Sequence, residues 1–374
     1  MNKASCRQSE SFHLLGITEG PRSPSVAEHQ KLEQEAMILK QRFVKPLTVA
    51  LCLTAAAVTS SLAQAATFRV AVGDGAGSAQ HALGLKFAEE FKAKTGGKHD
   101  TKLFLNGQLG DEQATVNDAS MGLLDFSILA INNVTPFSPT VGVLTLPYMM
   151  QSLDDAVKLT QGEVGKELTE NTIRDAGVRI VGWTYTGFRV LTNSKHPVNS
   201  LQDLQDLKIR VPQNEIMIDT YRAWGINPTP MAWSETFTGL QLGVVDGQDN
   251  PYLTIYSMKF DEVQKYITDI RYLFSIEPLV VSEAVYQSQP ADVQQAILEA
   301  GKAATEHSAK WLVEQEDKIK AELTSKGMEI TTPADGEKEW MDKAVEQVWP
   351  KYYEQLGGKE KLNEILTSLG RDTI

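Results

Sequence analysis

From Phe68 onward, short apolar runs alternate with stretches whose apolar residues recur every three or four positions. Phe68 to Val72 is a strand-like run, followed by the small and polar residues 73–78. Leu83, Phe87 and Phe91 then fall on one helical face, and Gly96-Gly97 ends that helix. Residues 102–105 predict a second strand, 111–121 a helix and 125–130 a third strand. The order βαβαβ predicts a parallel sheet covered by helices. Further along, 178–183 and 209–211 read as strands and 213–224 as a helix. The breakers 227–230 follow, and Ser234 is positioned to cap another helix. Pro290 suits the first turn of a long helix over 291–326, with Gly301 a candidate bend. Val293, Ile297, Ala300, Ala304, Trp311, Leu312, Ile319 and Leu323 carry its apolar stripe.

The N-terminal part has a different pattern. A basic start at 40–45, an apolar run over 46–58 and Ala63-Gln64-Ala65 form a secretory signal, cleaved after Ala65. The apolar run is shorter than the ~18 residues a membrane span needs. Cys52 is a poor lipidation site because Leu51 is too large for the residue before it. Residues 1–36 are polar and aperiodic, so Met37 is the expected initiator, 1–36 a mis-assigned extension and 37–65 the signal peptide. The mature protein then begins at about Ala66, outside the cytoplasm.

Charge narrows the possible partners. The 374 residues carry 36 Lys+Arg and 48 Asp+Glu, a net charge of −12, which lacks the positive field of a nucleic-acid binder. Residues 1–65 hold 7 basic and 5 acidic side chains. The remaining 309 residues have 29 basic against 43 acidic, net −14, and neither cysteine. No disulfide or Cys-based zinc site is then available.

Enzymatic and metal motifs are weak. Gly73-Asp74-Gly75-Ala76-Gly77 follows a strand, but its third glycine is one position early for a dinucleotide loop. A tight turn facing a cleft is the better reading. Residues 246–250 superficially resemble a calcium loop without its closing glutamate. The histidines at 81, 99, 196 and 307 are scattered, and no GxSxG occurs. Neither cofactor nor metal is expected. Arg189 and Arg210 carry more information, because Arg210 ends a strand just before Pro212, where open α/β sheets bind ligands. A guanidinium there offers a planar fork to a carboxylate, with a surface ion pair as the alternative.

The blocks GINPTPMAWSE (225–235) and GLQLGVVDGQDNP (239–251) decide between these. With QLGD (108–111), LPY (146–148), GFR (187–189), KIRVP (208–212) and EVQKY (262–266), the chain closely resembles the substrate-binding proteins of tripartite ATP-independent periplasmic (TRAP) transporters, dicarboxylate type. The likeness spans about 68–325. It implies a two-lobed α/β periplasmic-binding-protein fold, the Venus-flytrap type, with a β hinge and a long lobe-spanning helix. Lobe I would comprise about 66–186 and 276–312, and lobe II about 187–275 and 313–374.

The resemblance also implies a monomer with no catalysis, binding a small organic acid and delivering it to membrane permease subunits for ion-driven uptake. It implies a salt bridge from Arg210 to the ligand carboxylate and a hydrogen bond from Asn250 to the same group. Arg189 would be a second carboxylate or water contact. Trp233 would line the pocket, with interlobe packing as its alternative, and Asp74, Asn132 and Asn133 would lie on cleft-facing loops. The family commonly has glutamate where this chain has Asp249, and the shorter arm is expected to alter the bracing of Arg210. An exported carboxylate-binding enzyme, or a sensor for a signalling partner, would use the same fold.

Overall fold

The structure, a computed structural model, describes Lys31, Gln34 and residues 66–374. The signal segment and both cysteines lie outside the described residues, as does all of the expected extension except Lys31 and Gln34. Among the described residues no helix is long and apolar enough to cross a membrane.

The first half opens with β1 (Thr67–Val72), α1 (Ala79–Lys94), β2 (Asp100–Phe104), α2 (Glu112–Ser120) and β3 (Phe126–Ile128). β1 pairs in parallel with both β2 and β3, as the alternating pattern predicted. Leu83, Phe87 and Phe91 of α1 are fully buried. The Phe91 ring meets Phe68 of β1 edge-on at 5.6 Å, a favoured aromatic geometry.

Helices α3 (Leu153–Gln161) and α4 (Glu163–Ala176) lead into β4 (Val178–Asn193). The second half contains β5 (Ile209–Val211), α5 (Glu215–Ala223), β6 (Thr229–Pro230), α6 (Trp233–Gln241), β7 (Gly247–Pro251), α7 (Tyr252–Ser257) and β8 (Tyr266–Thr268). The chain returns through β9 (Phe274–Ser282) and α8 (Glu283–Ser288) to α9 (Ala291–Ser325). It closes with β10 (Glu329–Thr331), α10 (Lys338–Tyr352) and α11 (Gly358–Ser368).

The main strand order is β2-β1-β3-β9-β4-β7-β5-β6. β4 and β9 join the halves, so the sheet is mixed rather than wholly parallel. β4 runs antiparallel to β9 from Val178 to Phe188, then to β7 and β8 from Arg189 onward. At 16 residues it is far longer than the strand expected at 178–183. Gly187, at φ +95°, and the register irregularities around Gly182 and Gly187 bend it without ending it. The segment 246–250 is largely the sheet strand β7, with Asp246 accepting from the Lys208 amide, so it is no calcium loop.

Helix α9 has 35 residues, about 52 Å at the usual rise. Val293, Ile297, Ala300 and Ala304 join the core of the first half, whereas Leu312, Ile319 and Leu323 join the larger central cluster. The helix runs unbroken through Gly301. That glycine provides contact rather than a bend, since a Cβ there would lie 1.9 Å from the Val181 carbonyl oxygen. Ser234 is no cap either: α6 begins at Trp233, and the Ser234 hydroxyl donates across to Asp111 Oδ1 at 3.4 Å.

Candidate functional site

Strand ends from both halves converge on one cavity. All seven residues singled out from the sequence line it: Asp74, Asn132, Asn133, Arg189, Arg210, Trp233 and Asn250. Gln80, Glu112, Thr254 and Glu277 complete its polar wall, and none of the four is among the residues the sequence points to.

β5 lies between β6 and β7, with Arg210 in register with Gln248. Asn250 is two positions beyond Gln248 on the same face, and its amide donates to Gln248 Oε1 at 2.5 Å. Arg189, at the turn of β4 into the second half, sits opposite Pro251 of β7. The two guanidiniums are thus brought together from the two strands that flank β7, both almost wholly buried, with Arg210 2% exposed and Arg189 3%.

Their partners differ. Arg189 Nε donates to Asp249 Oδ2 at 2.6 Å, and its Nη2 donates to the Asp249 carbonyl. Tyr272 donates its hydroxyl to the same Asp249 oxygen. Burial pulls the Arg189 pKa down, but the Asp249 charge outweighs it and holds the guanidinium above its ordinary range. Asp249 therefore braces Arg189, not Arg210 as expected from the sequence. Arg210 is held instead by the Met231 carbonyl, which accepts from Nε at 3.0 Å and from Nη2 at 2.7 Å. Among the described residues no carboxylate lies within salt-bridge distance of it. Burial, with the like charge of Arg189, lowers its pKa to about 10, so it remains cationic at neutral pH.

The facing wall is acidic. Asp74 follows β1, Glu112 opens α2 and Glu277 lies on β9; each is at most 4% exposed. Glu112 accepts from Gln80 Nε2 at 3.1 Å and the Ala130 amide at 3.2 Å, and also from Asn133 Nδ2. Gly73 makes room for it: a Cβ there would come within 2.4 Å of Glu112 Oε1. Burial raises the carboxyl of Asp74 to about 7 and that of Glu112 to about 8, the charge of Asp74 adding to the latter. Burial also lifts Glu277 well above the carboxylate range, reinforced by Asp74 and Glu112. Asp74 Oδ2, Glu277 Oε2 and Asn132 Nδ2 have no hydrogen-bond partner among the described residues.

The glycine-rich loop contributes the Asp74 side chain rather than free amides. The Asp74 amide is taken up by Gln80 Oε1 and the Gly75 amide by the Met258 sulfur. The halves are drawn together over the cavity. Trp233 Nε1 donates to Asp74 Oδ1 at 3.1 Å, and Asn214 Nδ2 donates to the Asn132 carbonyl at 3.3 Å. Trp233 also presents its ring to Arg210, 5.7 Å from the guanidinium carbon, so it both lines the cavity and bridges the cleft.

Two α/β lobes closed over a buried, polar, arginine-bearing cavity define a solute-binding protein. The chain belongs to the DctP family, the bacterial extracellular solute-binding proteins of family 7, whose pattern matches residues 72–356. A solute-binding protein of Roseobacter denitrificans is 33% identical over 285 residues, 76% of this chain and 87% of its own. Its crystal structure, as a TRAP periplasmic solute-binding protein with bound L-galactonate, matches with a TM-score of 0.74, covering 80% of this chain and 99% of that one. The 2,3-diketo-L-gulonate-binding periplasmic protein YiaO of Escherichia coli is 30% identical over 281 residues, 75% of this chain and 85% of its own. An apo, open TRAP solute-binding protein of Rhodobacter sphaeroides is 39% identical, with a TM-score of 0.67, covering 81% of this chain and 98% of that one.

Proposed function

We propose that this chain is the periplasmic substrate-binding subunit of a TRAP transporter, that it captures a polyhydroxy organic acid, and that it catalyses no reaction. One observation carries the reading: of two buried arginines on the cavity, Arg189 is ion-paired to Asp249, whereas Arg210 has a carbonyl and the face of Trp233 beside it and no carboxylate among the described residues. A cation held in place but not paired is suited to a bidentate salt bridge with a ligand carboxylate. Asn250 would donate to the same group. The opposite wall offers Asp74 Oδ2 and Glu277 Oε2 as partners for hydroxyls and Asn132 Nδ2 as a donor, a pattern suited to a chain of alcohols. The ligands named for the Roseobacter and Escherichia relatives are polyhydroxy acids, which supports this class.

In this reading the lobes, about 66–186 with 276–312 and about 187–275 with 313–374, hinge on β4 and β9. Ligand shifts the balance toward closure by its greater affinity for the closed form. The closed form then docks on membrane permease subunits, which take up the acid. The mature chain would begin near Ala66, in the periplasm.

The test is calorimetric titration of the purified mature chain with L-galactonate, D-gluconate and D-erythronate, beside succinate and benzoate. Binding of at least one polyhydroxy acid, in preference to succinate and benzoate, is expected. Preference for succinate or benzoate would overturn the ligand class, and turnover of a bound acid would overturn the receptor reading.

A further inference from the structure

Charge counting around the cavity has a consequence for how an anion can be held there. The first half contributes Asp74, Glu112 and Glu277; the second contributes Arg189 and Arg210, with Asp249 behind Arg189. Asp111, N-terminal to Glu112, adds a further negative field that acts on both Glu112 and Arg210. Tyr221 and Tyr272 back the arginines as neutral phenols, burial pushing both pKa values far up. Counting only Asp74, Glu112, Glu277 and Asp249 against the two arginines, full ionisation leaves an excess of two negative charges, and a bound carboxylate makes it three. A closed, desolvated site does not hold such an excess, because neutralising a carboxylate costs less than burying its charge unpaired.

We infer that closure over an organic anion is coupled to uptake of at least one proton from solution, with Glu277 as its principal seat. The inference rests on the reading that a polyhydroxy acid occupies this pocket. Glu112 is the poorer acceptor of a proton, since three N–H donors and the N-terminus of α2 favour its ionised form. Asp74 accepts from the Trp233 indole, which favours its charge as well. Glu277 stands in a strand buried along its whole length and has an unpartnered Oε2 on the cavity; burial and the charges of Asp74 and Glu112 outweigh the Gln80 N–H and the Arg189 charge that act the other way. Protonated, it gains a hydroxyl that can donate to an alcohol oxygen of the ligand as well as accept from one. The raised values of Asp74 and Glu112 agree with a shared shortage of positive charge across the whole wall.

The sign follows from linkage. Opening the cleft to water would return these carboxyls toward their ordinary values, whereas the closed form holds their protons to higher pH. Closure is therefore favoured below the ordinary carboxylate range and loses that advantage as pH rises through the raised values. With one proton taken up, affinity falls about tenfold per pH unit as pH rises from the ordinary carboxylate range toward the raised value.

The experiment is calorimetry of the mature chain with L-galactonate, D-gluconate and D-erythronate at pH 7, in phosphate and in Tris, whose ionisation enthalpies differ widely. The expected heats differ between buffers by at least about one proton's worth, in the direction of uptake, and Glu277→Gln lowers that count by about one. Binding with equal heats in both buffers, or with proton release, overturns the coupling, and the wild-type measurement decides this even where the variant fails to fold. A count that Glu277→Gln leaves intact overturns Glu277 as the seat. Failure of all three acids to bind is a different result, since it removes the ligand reading and this inference with it.

Discussion

Arg189 and Arg210 are the same residue type in the same cavity, and what stands behind each separates their roles. Arg189 is consumed by Asp249 and backed by Tyr272, so its charge is largely spent within the protein. Arg210 has its Nε and Nη2 turned to one carbonyl and its charge unspent. Arg210→Ala is expected to weaken binding of L-galactonate by about 2–5 kcal/mol, roughly 30- to several-thousand-fold, by leaving the carboxylate unpaired. Arg210→Lys recovers only part of this, because an ammonium makes no planar fork. Calorimetry on both variants is the check; near-wild-type affinity in Arg210→Ala removes the clamp. The arginines, Asn250 and Trp233 line the cavity, and each sits in a motif by which the chain resembles the family. Glu112 directly follows the QLGD motif without belonging to it, and the signal for Glu277 is that it is the lone charge in the run 274–282. The pairing of Asp249 with Arg189 was not legible, since it depends on β4 lying beside β7, a contact between segments far apart in the chain.

Among the elements, amphipathic ones were read well and doubly buried ones poorly. α1 and α9 show one apolar face each, and periodicity found both. β4 and β9 are buried along nearly their whole length, so neither shows alternation, and the pattern predicts only the first six residues of β4 and no strand at β9. Yet these two strands join the halves and carry Arg189 and Glu277. The packing of α9 on β4 turns on Gly301, where no side chain fits against the Val181 carbonyl. Gly301→Val should force helix and strand apart at a cost of about 1–3 kcal/mol or more, read as a lower urea midpoint. An unchanged midpoint would mean that the contact yields freely.

For the molecule as a whole, hydrogen bonds cross the cleft between groups from opposite halves: Trp233 with Asp74, Asn214 with Asn132, Ser234 with Asp111. In the proposed receptor such contacts would set how readily the lobes shut, and a ligand would add to them only its preference for the shut form. Trp233 holds a particular place among the six tryptophans. Trp183, Trp224, Trp340 and Trp349 are buried in the cores and Trp311 rides on α9, whereas Trp233 alone lines the cavity, its indole nitrogen on a carboxylate of the opposite lobe. The protein thus carries its own optical gauge. Titration with a bound acid should change the intrinsic emission, and Trp233→Phe should silence most of that signal while calorimetric heats persist. A stopped-flow trace of the same emission would then time the shutting of the jaws directly, without any attached dye.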